Sequence, residues 1–343
     1  MAKRRNDASI SSGRSLMRAG SGKWAGEQFL RAVREGRPIN AEVLRTGNTL
    51  SNNQMIEFDN VILRESLIQL NGIADLINAN LVRPVANSLG KTLFGYERQT
   101  DMDDAQISMD PVSRTDYDRG DFDLAQIPLP ITHKDWFINL RRLEASRSGG
   151  EPLDTTTAGL AGRKVAEKSE QMLFQGAGKS FGGFPIYGYT THPNRTTVSY
   201  GTNGNWLNTN TAKTGENILA DVLTLLLAAQ TARHFGPYWL YVSRDSAVKL
   251  SNDFKTNVDG TIRERLLKVE GIDGVRTSDK MPAATVLLVQ HTSDVVELLQ
   301  GESLQTVQWD VEGGFHINFK AFQIQVPLIK ADIQGRSGIV HMS

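Results

Sequence analysis

The segment from Leu124 to Phe184 constrains the fold of this 343-residue chain more than any other part of the sequence. Over residues 124–131, apolar side chains alternate with other residues, which predicts a strand, and two prolines there favour the edge of a sheet. A turn, a helix predicted over residues 154–175 and a glycine-rich corner follow. The segment therefore predicts a strand, a long helix and a tight turn in a fixed order.

The predicted helix has two different faces. Asp154 and Thr155 supply an N-terminal cap, and Gly176 and Gly178 end the helix. One face carries small and apolar side chains that suit close packing on a sheet: Ala158, Ala161, Val165, Ser169 and Met172. The opposite face is predicted to be basic: Arg163, Lys164 and Lys168.

Helical periodicity also covers the region before the strand. Apolar side chains recur every three or four residues between 50 and 86. This pattern predicts helices within residues 50–89, with a break at Gly72 and an end at Pro84.

The second half of the chain shows two further patterns. Residues 211–304 alternate helical segments with buried apolar strands, which predicts an α/β unit. From residue 295 onward, apolar residues occupy every second position and predict long antiparallel strands. The polar, turn-rich segment 194–210 is predicted to be a loop or hairpin between domains.

The formal net charge is zero, but it is unevenly distributed along the chain. Residues 1–46 hold ten Lys or Arg and four Asp or Glu, so this arm carries +6 and the rest of the chain −6. A basic arm on a mildly acidic body indicates contacts with polyanions or with acidic neighbours, and a solvated tail is the alternative.

Residues 90–124 form an acidic segment without helical periodicity. We predict a long two-stranded excursion that a single copy of the chain buries poorly. Its aspartates include Asp101, Asp103, Asp104, Asp110, Asp116, Asp118 and Asp121. A calcium loop is the alternative for the first three. The glycine and terminal glutamate of such a loop are missing, so an acidic loop facing solvent or a partner is favoured.

No motif in the sequence indicates catalysis or a cofactor. Cysteine is absent, the six histidines lack the spacing of a zinc motif, and no Gly-x-Ser-x-Gly occurs. The GAGKS sequence from Gly176 to Ser180 follows a helix and has Leu173 where a phosphate-binding loop requires glycine. We therefore predict no catalytic, cofactor-binding or metal-binding residues, with an enzyme of unrecognised site in the α/β unit as the alternative.

Membrane insertion is not expected either. No apolar run approaches the ~18 residues of a membrane-spanning helix. The basic N-terminus has no apolar segment behind it, so it is not a secretory signal.

The order of these features resembles the shell-forming core of encapsulins and of the related tailed-bacteriophage major capsid proteins. The resemblance covers about Leu50 to Met342 and includes a helix from Leu50 to Leu67, the acidic segment and the strand sequence from Phe315 to Val326. Within and behind the long helix, these residues follow the family's order: Arg163, Lys164, Val165, Ala166, Glu167, Leu173, Phe174, Gly176, Gly182, Gly183, Phe184 and Pro185.

The resemblance implies the α+β Johnson fold of phage major capsid proteins. The implied parts are a basic N-terminal arm (1–49), N-terminal helices (50–89), an extended loop (90–124), a peripheral domain (125–210) with a spine helix (154–175), an axial domain (211–304) and C-terminal strands of the peripheral domain (305–343). Two departures stand out: encapsulins usually have an acid where this chain has Ser169, and Met1 to Asn48 has no encapsulin counterpart.

The implied function is that of a major capsid protein that self-assembles into an icosahedral shell around a phage genome. Its implied partners are many copies of itself in hexamers and pentamers, with packaged DNA and portal and decoration proteins as further candidates. The implied location is the virion, after assembly in the host cytoplasm. An encapsulin-type nanocompartment enclosing protein cargo is the alternative, and the extra basic arm favours the viral shell.

The resemblance also suggests where copies meet. Some phage capsids crosslink through a lysine of the extended loop, but no lysine lies between Thr92 and Asp123, so we predict a non-covalent lattice. We expect the acidic loop of one copy to lie on the basic spine region of its neighbour: Arg141, Arg142, Arg147, Arg163, Lys164 and Lys168. The arm is expected on the inner face, touching DNA or neighbouring copies: Lys3, Arg4, Arg5, Arg14, Arg18 and Lys23.

Overall fold

The computed structural model describes residues 52–67, 71–99, 107, 109, 122–139, 141, 156–207, 213–255, 258–311 and 316–343. The predicted basic arm and the seven aspartates of the predicted loop lie outside the described residues, as do Arg142 and Arg147. Arg141 is described and is exposed.

The described residues form six helices. They are α1 (Asn52–Leu67), α2 (Asn71–Asn78), α3 (Thr156–Gln175), α4 (Gly215–Thr231), α5 (Arg244–Leu250) and α6 (Ile262–Leu267). The helix predicted over residues 154–175 is therefore found as α3, which is called the spine helix below. It ends where Gly176 adopts a φ of +79°, a conformation that favours glycine.

Strands occupy much of the remaining described chain. They are β1 (Val82–Pro84), β2 (Leu93–Gln99), β3 (Phe122–Pro128), β4 (Thr132–Asn139), β5 (Ser180–Phe181), β6 (Phe184–Pro185), β7 (Thr196–Val198), β8 (Tyr238–Ser243), β9 (Asp253–Lys255), β10 (Val258–Thr261), β11 (Ile272–Ser278), β12 (Val286–Gln290), β13 (Val296–Val311), β14 (His316–Ile329) and β15 (Ile339–Met342).

These strands build two main sheets and three two-stranded ribbons. The four-stranded sheet has the order β1-β13-β14-β4, and the five-stranded sheet has the order β11-β8-β12-β15-β7. The ribbons are β2-β3, β5-β6 and β9-β10. The long strands predicted after residue 295 are β13 and β14, which pair antiparallel.

One face of the four-stranded sheet packs on the spine helix. Trp136 and Phe319 stack with their ring centroids 5.4 Å apart and contact the small-residue face of that helix. On the same helix, Gly162 lets α1 approach closely, because a Cβ atom at this position would lie 2.8 Å from the carbonyl oxygen of Ile62. The predicted stripe of small residues therefore packs against both a sheet and a second helix.

The five-stranded sheet lies between two layers. Its first face packs on α4, α5 and α6, and its second face packs on α2, the end of the spine helix and the first residues of β13. The buried residues of the first face include Leu240, Val242, Leu288, Val340 and Met342. Those of the second include Tyr241, Leu287, Val289 and Ile339.

A buried ion pair holds the segment that leads into α4. Lys213 Nζ lies 2.5 Å from Asp221 Oδ2, and the two side chains are 0% and 3% exposed. Asp221 also accepts hydrogen bonds from Trp206 Nε1 at 2.8 Å and from the backbone N–H of Gly201 at 3.1 Å. One carboxylate of α4 thus fixes both ends of the preceding segment to the helix.

Several predicted elements differ from the structure. The helix expected to continue to Pro84 ends at Asn78, and Val82–Pro84 instead forms β1, parallel to β13. The strand expected over 124–131 spans Phe122–Pro128. In the segment expected to be a loop or hairpin, Thr196–Val198 forms β7, which pairs with β15. In each case a distant strand supplies hydrogen bonds that local periodicity does not reveal.

The sheets also do not follow the predicted domain boundaries. Residues 125–210 and 305–343 were predicted to form one domain, yet β7 and β15 belong to the same sheet as β8, β11 and β12 of the predicted axial domain. Conversely, β13 begins at Val296 in the four-stranded sheet, before the predicted boundary at residue 304.

Candidate subunit interfaces

The β2-β3 hairpin has one buried face and one exposed face, and the exposed face carries large apolar side chains beside the polar Glu97 and Gln126. Phe94, Tyr96 and Ile127 pack on the body of the chain. Phe122 and Leu124 point the other way and are 64% and 63% exposed. Large apolar side chains this exposed, and grouped on one strand face, are typical of a contact surface.

The same hairpin leads into the acidic segment. Arg98 on β2 is directly opposite Asp123 on β3, and their side chains form an ion pair. This cross-strand pair joins the strands just before residue 100, where the predicted excursion continues. The hairpin therefore forms the base of that excursion and carries an apolar surface beside it.

The basic surface predicted for the spine helix also contains an acid, Glu167. Lys164 and Lys168 are exposed and Arg163 is partly buried. Glu167 lies among these cations: its carboxylate oxygens are 2.9 Å from Lys164 Nζ, 3.5 Å from Arg163 Nε and 3.6 Å from Lys280 Nζ. The i, i+3 and i, i+4 spacings around Glu167 were the available signal.

These contacts change how the surface presents its charge. The Lys164 hydrogen bond, with Lys280 and Arg163 nearby, holds the pKa of Glu167 below its usual value. Glu167 is therefore ionised at neutral pH and offsets part of the basic charge. Lys280 adds a cation from the turn after β11, so the surface remains positively charged.

A further exposed surface is the face of the four-stranded sheet opposite the spine helix. Phe137 is 60% exposed there and packs beside His316, with ring centroids 5.6 Å apart. Lys320 on the next strand lies 3.4 Å from Asp135 and above the Trp309 ring. Burial alternates along β4 from Asp135 to Asn139, as expected of a strand with one covered face.

The glycine-rich corner is a structural turn. The spine helix ends, β5 and β6 form a short hairpin, and Gly176, Gly178, Gly182 and Gly183 all have positive φ angles. A phosphate-binding loop requires a strand before it and a helix after it, which is the reverse of this order.

The described histidines do not form a metal site. Within the ranges that the structure covers, no three His, Cys, Asp or Glu side chains are placed to hold a metal ion. Burial lowers the pKa of His192, His291 and His341 to about 4, so these rings are neutral at physiological pH.

Within the part of the chain that the structure describes, no helix is long and apolar enough to cross a membrane.

Solved structures that are similar to this chain are shells. The virus-like particle from Pyrococcus furiosus matches with a TM-score of 0.60 at 16% identity, covering 84% of this chain and 98% of that one. The capsid of Myoviridae phage XM1 matches with a TM-score of 0.57 at 9% identity, covering 90% of this chain and 97% of that one. The capsid of an empty GTA particle matches with a TM-score of 0.54 at 13% identity, covering 91% of this chain and 96% of that one.

These likenesses define the class of fold: the chain has the mixed α+β Johnson fold of phage major capsid proteins, as the sequence resemblance implied. The similar structures named above are shells rather than enzymes. Residues 47–342 match the sequence profile of a family of unknown function, DUF6260, and the chain belongs to that family. No curated protein matches it.

Proposed function

We propose that this chain is a major capsid protein that self-assembles into an icosahedral shell around a phage genome. The observation that carries the proposal is the β2-β3 hairpin, whose apolar face is uncovered in the single chain. The likeness of the fold to capsids supports it. Non-covalent contacts hold the copies together in hexamers and pentamers, as the absence of lysine between Thr92 and Asp123 predicts.

The hairpin supplies apolar free energy for assembly. Burying a large apolar side chain contributes about 1.5–3 kcal/mol, and stable assemblies commonly bury ~2,000–5,000 Å² per interface. Phe122 and Leu124 lie on the same outward face of β3, and the partly exposed Leu93 of β2 lies on that face at the other end of the hairpin, opposite Pro128. A neighbouring copy would cover this face.

The acidic segment beyond the hairpin is proposed to fix how neighbouring copies align with each other. We propose that it lies on the positively charged spine surface of a neighbour, where Lys164, Lys168 and Lys280 contribute cations. Complementary charge of this kind affects orientation and association rate more than affinity. Three cations hold Glu167 within this surface. The aspartates of a neighbouring copy therefore compete with the Glu167 carboxylate for these cations, and they have to bind at positions away from it.

The basic arm is proposed to lie on the inner face, where it bridges copies or contacts DNA without sequence preference. Arm contacts with phosphates release counterions, so they weaken steeply with added salt. Deleting residues 1–46 is expected to leave the fold intact and to reduce the nucleic acid retained in particles. Full-sized, DNA-filled particles from the deleted chain would exclude this role of the arm.

Expression followed by electron microscopy and nuclease-protected nucleic acid analysis tests the proposal. We expect closed icosahedral particles from the full chain. Particles that protect nucleic acid support a phage capsid, and particles that enclose co-purifying protein instead support a nanocompartment. A chain that stays monomeric or forms only small oligomers at high concentration contradicts both.

A charge-reversal variant tests the proposed register. Changing Asp116, Asp118 and Asp121 to Lys is expected to block or misdirect assembly, because three attractions to the spine surface become repulsions. The matched control changes three exposed acids elsewhere, Asp253, Glu270 and Asp273, to Lys. Sedimentation and electron microscopy measure the outcome. Normal shells from the first variant would exclude the pairing.

A further inference from the structure

A buried carboxylate of the spine helix holds the start of α2. Glu170 is 2% exposed, and its two oxygens accept hydrogen bonds from the backbone N–H groups of Gly72 at 2.8 Å and Ile73 at 3.3 Å. The helix N-terminus favours a negative charge at this position, but this offsets only part of the cost of burying that charge. Glu170 therefore joins the spine helix to α2 by a contact between distant parts of the chain.

A second buried carboxylate joins the same short helix to the five-stranded sheet. Asp75 of α2 is 4% exposed and accepts hydrogen bonds from Tyr241 Oη at 3.1 Å and Arg276 Nε at 3.2 Å. Tyr241 lies on β8 and Arg276 on β11. Three elements, the spine helix, α2 and the sheet, are thus held together through two acids.

The surroundings provide little compensation for two negative charges. The titratable and charged groups packed around the pair are Tyr189 after β6, Tyr241 on β8, Arg276 on β11 and His291 after β12. Arg276 is a cation that is half exposed, and burial keeps His291 neutral. Tyr189 is fully buried, and its hydroxyl has no hydrogen-bond partner among the described residues.

We propose that Glu170 and Asp75 form a proton-dependent clasp between the spine helix, α2 and the five-stranded sheet, and that raising the pH towards and through neutrality loosens it. The clasp is closed while Glu170 keeps its proton, since the site then holds at most one negative charge. When Glu170 ionises, two carboxylates share a buried site, and α2 separates more readily from the spine helix.

The direction of the effect follows from the protonation of each state. Burial raises the pKa of Glu170 from 4.5 to about 7, with the charge of Asp75 adding to the rise, and burial also raises the pKa of Asp75. Below about pH 4.5 Glu170 is protonated in the closed and open forms alike. Between about pH 4.5 and pH 7 only the closed form keeps its proton, so its stability falls as the pH rises, and the loss is complete above about pH 7.

The absence of cysteine makes the opening of α2 measurable with one introduced thiol. Leu76 of α2 and Ala229 of α4 are both 0% exposed and belong to different cores. Dividing the thiol-labelling rate of L76C by that of A229C removes the pH dependence of the labelling reaction itself, because both thiols share it. We expect this ratio to rise at least about tenfold between about pH 5.5 and pH 8.5, and to stay nearly constant when Glu170→Gln is added.

A second measurement avoids the risk that a cysteine disturbs the core. The thermal midpoint of the cysteine-free chain is compared with that of Glu170→Gln at each pH, because the buried histidines raise both midpoints alike as the pH rises. The midpoint of the unmodified chain relative to that of Glu170→Gln is expected to fall between about pH 5.5 and pH 8.5. Glu167→Gln, three residues earlier on the same helix, is the matched control. The midpoint of the unmodified chain relative to this control should stay nearly constant, because the pKa of Glu167 is lowered instead. A constant difference between the unmodified chain and Glu170→Gln over this range would overturn the clasp. Neither measurement requires a shell, so the result is independent of the proposed function.

Discussion

Replacing Lys213 with Met is expected to lower the free energy of unfolding by about 3–5 kcal/mol. The substitution leaves the Asp221 carboxylate buried without its cation, 3% exposed and hydrogen-bonded to Trp206 and Gly201. Removing one member of a buried ion pair costs more than the pair contributes, since the remaining charge stays in a site of low polarity. Urea denaturation at neutral pH measures the loss.

An exposed ion pair on the same helix provides the control. Glu216 of α4 pairs with Lys255, and these side chains are 58% and 50% exposed. Glu216→Gln should cost less than about 1 kcal/mol because solvent screens the pair. A loss for Lys213→Met as small as that of the control would show that the buried pair does not hold the segment before α4.

Removing the apolar face of the hairpin is expected to prevent assembly without unfolding the subunit. In the double variant Phe122→Ser, Leu124→Ser, each copy loses two side chains that are more than 60% exposed in the single chain. If a neighbour covers both, the lost burial raises the concentration needed for assembly by at least ~100-fold. Light scattering against concentration measures this threshold, and circular dichroism verifies that the fold persists.

Gln126 offers a matched substitution on the same strand. It is exposed on the face that carries Phe122 and Leu124 but contributes little apolar surface. Gln126→Ser should therefore assemble at the concentration of the unmodified chain. Shells from the double variant at that same concentration would contradict the role of the hairpin.

Local patterns were sufficient to predict the spine helix and the longest strands. The helix has both end signals and a continuous stripe of small residues, and β13 and β14 have the period of two over many residues. Elements defined by distant partners were not predictable in this way. β1 has only three residues, and its parallel partner is more than 200 positions away, so periodicity extended the helix across it.

The electrostatic features depended on contacts that spacing alone does not give. Glu167 and Glu170 are three residues apart on one helix, yet cations lower the pKa of the first and burial raises that of the second. The sequence indicated a basic helix face correctly at Lys164 and Lys168. It did not show that Lys280 joins that face or that the N-terminus of α2 ends against Glu170, because both come from other parts of the chain.

The position of β15 has a consequence for biosynthesis. This strand pairs with β12 on one side and with β7 on the other, so it lies inside the five-stranded sheet and separates strands made much earlier. A nascent polypeptide still on the ribosome cannot complete the sheet until residue 342 has emerged. Contacts that bridge such long separations form slowly. The chain therefore acquires its final tertiary structure only after translation has passed this point. Under the proposed function, this delays the moment at which copies become competent to recognise each other.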